Sequence, residues 1–83
     1  MREVSLEYIQ KEAYKEVKYA CEEWNVVGKF TKAVIRHIGA AYALADLYDE
    51  FSQGSTSLAY EFTEMDLFKE YKRCKVKDIT PEE

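Results

Sequence analysis

Apolar residues recur along the first third of the chain at steps of three and four: Leu6, Ile9, Ala13, Val17, Ala20 and Trp24. That is the period of one helix face and predicts a helix over about residues 5–24. Ser5 suits its N-cap, Glu7 complements the positive end of the dipole, and Asn25 to Gly28 supplies residues that tolerate a reversal.

A second helical pattern runs from Thr31, a natural N-cap, to about Ser52, with Phe30 placed to staple onto Ile35. Between Ala33 and Tyr48 only Arg36, His37 and Asp46 are strongly polar. A helix apolar around most of its girth belongs in the middle of a structure, with Phe30, Val34, His37, Ile38, Ala41, Ala45 and Tyr48 as its inward face. Gly39, Ala40, Ala41, Ala43 and Ala45 let neighbouring backbones come close; Gly39 costs roughly 1 kcal/mol of helix propensity, which packing is expected to offset.

The stretch Ser52 to Ser57, with Gly54 able to end a helix, reads as a loop. Leu58 to Phe62 is then either a short helix or an irregular apolar segment. Thr63 with Asp66 three residues on marks a further start, with Phe62 stapling onto Leu67, so a third helix is expected over about residues 63–76 with Leu67, Phe68, Tyr71 and Cys74 inward. The tail from Lys77 reads as frayed, and Pro81 resists any helix continuing through it. These elements predict an all-α protein, a compact three- to four-helix bundle with a central apolar helix. With 83 residues, it has room for one domain, residues 1–83.

Composition narrows the classes of function. Twelve Lys and Arg against sixteen Asp and Glu give a net charge of −4, which argues against direct binding to the nucleic-acid backbone. Cys21 and Cys74 are the only cysteines, too sparse for a disulfide scaffold, so a reducing, cytoplasmic setting is expected. Met1 to Ser5 holds no apolar signal core, and the longest uncharged apolar run, Ile38 to Ala45, falls far short of a membrane span.

Catalytic and cofactor motifs are missing from the pattern. His37 is the single histidine, and with Cys21 and Cys74 it makes at most three scattered ligands, so all three are expected in the core, with no metal and no cofactor. Gly28-Lys29 is followed by Phe30 where a phosphate-binding loop needs Ser or Thr. Adjacent carboxylates such as Glu22 and Glu23 diverge by about 100° around a helix and make poor acid–base pairs. No enzymatic activity is expected.

What remains is surface. Tyr8 and Tyr19 lie about 200 to 220° from the Leu6 and Trp24 direction, on an outward stripe with Glu12 and Lys15, where an aromatic body with a wet hydroxyl suits a protein interface. The far side of the second helix carries Ile35, Gly39, Tyr42, Ala43 and Leu47, a stripe fit for self-association as a homodimer. Asp46, Asp49, Glu50, Glu61, Glu64 and Asp66 form an acidic stretch without a Lys or Arg among them, which suits a basic partner surface. Lys69, Lys72, Arg73, Lys75 and Lys77 complement a helix C-terminus. The expected function is a small acidic protein-binding module, an adaptor, regulator or inhibitor. The alternatives are a phage- or mobile-element-type inhibitor that offers its acidic surface to a nucleic-acid-binding enzyme in place of phosphates, and a structural homo-oligomer.

Overall fold

The computed structural model describes residues 4–52 and 57–74. Among them the chain is all-α: α1 spans Leu6–Val27, α2 Lys32–Ser52, α3 Leu58–Thr63 and α4 Asp66–Arg73. Expectations for the Gly54 connection, for the last turn beyond residue 74 and for the tail with Pro81 lie outside the described residues. No helix among the described residues is long and apolar enough to cross a membrane.

Local chemistry sets the two long helices. Ser5 caps α1, its hydroxyl accepting the Tyr8 N–H at 3.1 Å. α1 runs one turn further than the apolar stripe, because Asn25, Val26 and Val27 continue it until Gly28 takes φ 65° and donates its N–H to the Trp24 carbonyl at 2.7 Å. Thr31 is buried and caps α2 by accepting the Val34 N–H at 3.2 Å. So short a link makes α1 and α2 antiparallel neighbours, and they share the most extensive helix–helix contact in the molecule.

The expected third helix over 63–76 is corrected to two short helices, and the reason is phase. Leu58 and Phe62 lie on one face of α3, both buried; in an unbroken helix Leu67 would point about 140° away from Phe62. The chain breaks after Glu64 at Met65, whose extended backbone at φ −79°, ψ 142° re-aims it, and Leu67 and Phe68 are buried as well. Thr63 therefore ends α3 instead of starting a helix, its hydroxyl donating to the Tyr60 carbonyl at 2.7 Å, while Ser57 supplies the N-cap through the Tyr60 N–H at 3.0 Å.

One contiguous core joins Ala13, Val17 and Ala20 of α1, Val34, Ile38, Ala41 and Ala45 of α2, and Leu58, Phe62, Leu67 and Phe68. An aromatic seam knits the short helices to the hairpin: Tyr14 meets Phe62 edge-on at 5.3 Å, Phe62 lies 5.7 Å from Phe68, and Tyr42 meets Phe68 edge-on at 4.9 Å. Phe30, expected to staple onto Ile35, packs between Trp24 at 4.5 Å and Tyr71 at 5.8 Å. Both α1 and α3 pack on α2, yet α2 is not enclosed, since its Gly39, Ala43 and Leu47 are exposed.

Candidate functional site

The α1–α2 hairpin has two edges, and among the described residues only one is covered by other helices. α3 and α4 lie against Tyr14, Cys21 and Trp24 of α1 and against Tyr42 of α2. On the opposite edge the helices meet through a polar contact, Nδ1 of His37 at 2.6 Å from Oε2 of Glu16, with side chains 27% and 26% exposed. The helical period puts Tyr8, Glu12 and Tyr19 on the stripe of Glu16, and Ala40, Leu44, Leu47 and Phe51 on the stripe of His37. Side by side, the two stripes form one open face.

The aromatic residues expected on this face are there. Tyr8 is 56% exposed and Tyr19 43%, with Lys15 exposed and Glu12 half-buried beside them. Tyr19 corrects one expectation: it does have a neighbour to rest on, the His37 ring, with centroids 5.4 Å apart and planes tilted by 34°. His37 is likewise half-buried at the edge of the hairpin instead of deep in the core. Phe51, at 56%, and Leu47, at 38%, add apolar surface that periodicity had placed elsewhere or not at all.

The stripe proposed for self-association is only partly assembled. Gly39 and Ala43 are exposed, Leu47 largely so and Ile35 half-buried, but Tyr42 turns inward onto Phe68 and Tyr71, and its hydroxyl is buried without a hydrogen-bond partner. Burial raises the Tyr42 pKa above the usual phenol range, with the nearby Tyr71 and Asp46 adding to it. A Cβ built on Gly39 meets nothing within 4 Å, so no packing inside the chain offsets the helix-propensity cost of that glycine.

The acidic residues do not make one field. Asp46, Glu50, Glu61 and Glu64 are exposed, while Asp49 points its carboxylate into the start of α3 and accepts from the Leu58 N–H at 2.5 Å, the Ala59 N–H at 3.2 Å and the Ser57 hydroxyl at 3.1 Å. Asp66, the first residue of α4, faces α1 across a cleft of about 420 Å³ lined by Cys21, Trp24, Asn25, Asp66, Leu67 and Glu70. Burial pushes the Cys21 thiol up, which keeps it a neutral thiol near pH 7. Cys74, expected inward, is half-buried at the end of α4.

Sequence reasoning missed the Glu16–His37 contact, the capping role of Asp49 and the cleft. A plain antiparallel register turning between Val27 and Lys32 would set Glu16 opposite residues near 43, so the first depends on how the two helices cross. The other two depend on how α3 and α4 fold back, which no local spacing encodes. Compared with known proteins, the chain matches no family model, and no curated protein or solved structure is significantly similar to it.

Proposed function

We propose that the protein is a small binding module for another protein and that it docks through the open α1–α2 face. The observation that carries this reading is that the edge of the hairpin left bare by α3 and α4 exposes Tyr8, Tyr19, Leu47 and Phe51 around the Glu16–His37 contact. Aromatic side chains with wet hydroxyls on rigid helices offer large contact area at small entropic cost, and interface energy concentrates in such residues. Glu12, Lys15 and Arg36 give the rim both signs of charge, which favours recognition by shape and apolar contact over attraction to a charged polymer.

The test compares variants against one captured partner. Immobilised protein is incubated with host extract, the retained protein is identified and purified, and its affinity is measured for the parent, Tyr8→Ala, Tyr19→Ala, and a variant in which Asp46, Glu50, Glu61 and Glu64 are neutralised. Either tyrosine variant should lose roughly 1–3 kcal/mol, mainly through faster dissociation, with little change between low and moderate salt. Silent tyrosine variants, together with steep salt dependence and loss of binding in the neutralised variant, would overturn this reading in favour of the acidic surface.

A further inference from the structure

The cleft between the C-terminal end of α1 and α4 has a chemistry of its own. Its α1 wall presents Cys21 with Trp24 and Asn25, three and four residues on, on the side of α1 turned away from the open face. Its α4 wall presents Asp66 and Glu70, one turn apart, with Leu67 between them. At about 420 Å³ it falls within the size range of ligand pockets.

Three sources of negative potential converge there. Two are the Asp66 and Glu70 carboxylates. The third is the C-terminal end of α1, in whose last turn no basic residue stands, partly opposed by the positive end of α4 at Asp66. The neighbouring surface is aromatic: Trp24 lies 4.5 Å from Phe30, the rings tilted by 44°, and Phe30 in turn meets Tyr71. A negative cleft with an indole wall suits an organic cation. It does not suit a metal ion, because Cys21 is held as a neutral thiol and, among the described residues, no three His, Cys, Asp or Glu groups are placed to hold one.

We infer that this cleft receives an arginine side chain of a partner polypeptide, its guanidinium lying against Trp24 and bridging Asp66 and Glu70. A guanidinium is planar, more weakly hydrated than an ammonium, and carries donors in a fork that can serve two carboxylates while its face stacks on an aromatic ring. Glu70 already engages a guanidinium from within the chain, that of Arg73 one turn on. Arg73 is largely exposed, so the incoming group competes with a weakly held pair. Because the cleft and the open α1–α2 face are on opposite edges of the hairpin, this inference does not depend on the docking face proposed above.

Trp24 is the only tryptophan, so its emission reports on the cleft directly. The probe is N-acetyl-arginine amide, titrated into the full chain at constant ionic strength, with N-acetyl-citrulline amide as the uncharged match. Arginine should give a saturable emission change in the millimolar range and citrulline none. Glu70→Gln and Asp66→Asn should each weaken binding at least fivefold, Arg73→Ala should leave it equal or tighter, and Tyr8→Ala and Glu50→Gln should leave it unchanged. Circular dichroism checks that Asp66→Asn keeps α4; if it does not, Glu70→Gln, in the middle of that helix, decides. Absence of saturation with arginine, equal binding of citrulline, or full affinity in Glu70→Gln would overturn the inference.

Discussion

Asp49, in the last turn of α2, holds the first turn of α3 through Leu58: the Leu58 N–H donates to Oδ1 at 2.5 Å while Oδ2 takes the Ala59 N–H and the Ser57 hydroxyl. A helix of six residues is too short to stand alone, and its first N–H groups have no partner inside it. A side chain across the connection therefore substitutes for helix length. Asp49→Ala should destabilise the protein by about 1–3 kcal/mol, since it strips acceptors from two backbone donors at once. Chemical denaturation measures this; a midpoint within error of the parent would show that Ser57 alone suffices.

The hydroxyl of Tyr42 is a liability in the folded state, because it is buried between α2 and α4 with nothing to bond to. Its ring is well used, edge-on to Phe68 at 4.9 Å. Tyr42→Phe keeps the ring and removes the orphan group. Stability should rise by roughly 1 kcal/mol, equivalent to about 4–8 °C in Tm for a domain this small. A fall in Tm would mean that the hydroxyl is hydrogen-bonded in solution.

Gly39 tests whether the outer side of α2 is bare. With φ in the helical range and no atom within 4 Å of a Cβ placed there, Gly39→Ala relieves backbone entropy without a clash and should stabilise the chain by about 0.5–1 kcal/mol. Ala43→Glu on the same exposed side should leave the monomer folded. Should the parent sediment as a dimer in the micromolar range and Ala43→Glu as a folded monomer, the homodimer reading would gain its first support. A parent that is already monomeric would end it.

Much of this fold was legible because amphipathic period and capping chemistry are local. Ile9, Ala13, Val17 and Ala20 are buried as their spacing requires, Ser5 and Thr31 cap as their positions suggest, and Gly28 takes a positive φ at the end of α1. The failures are tertiary. Thr63 and Asp66 look like a helix start, yet the need to bury Phe62, Leu67 and Phe68 together forces a break that only the core can specify. Tyr42 sits about 100° from Ala41 on α2, an angle that faces solvent in a hairpin and a neighbour once α4 returns. The open face was half legible: Tyr8 and Tyr19 followed from angle alone, but the His37 ring under Tyr19 needed the pairing of the two helices.

Alkaline pH should weaken the fold. Burial raises the pKa of Cys21 and of Tyr42, and Tyr14 is raised by burial and then by Glu61 and Tyr48. Each group is an acid that the folded chain keeps protonated longer than the unfolded chain does, so the unfolded state binds fewer protons and stability falls as pH rises. Their contribution is fully present below about pH 8.5, the ordinary thiol value, and is lost as pH climbs past the ordinary phenol value near 10 and through the raised folded values. Urea midpoints at pH 8 and pH 10.5 should differ in that direction, and Tyr42→Phe should narrow the gap. A flat profile over this range would contradict the burial of these groups.

The contact between Glu16 and His37 ties α1 to α2 beneath the open face. Glu16 and His37 stand 21 positions apart in the chain and meet at 2.6 Å, both about three-quarters buried, and the His37 ring also supports Tyr19. A double-mutant cycle with Glu16→Ala and His37→Ala should give a coupling of roughly 0.5–1.5 kcal/mol at neutral pH, the range of a partly sheltered hydrogen bond, where independent sites would add to within about 0.5 kcal/mol. The same variants carry a consequence for binding. Losing the His37 ring frees Tyr19 to sample other rotamers, so His37→Ala should lower partner affinity much as Tyr19→Ala does, and the two should not add, whereas His37→Ala and Tyr8→Ala, more than two helical turns apart, should. Additive His37 and Tyr19 effects would show that the ring beneath Tyr19 does not position it, and the face would then act through Tyr8 and its apolar neighbours alone.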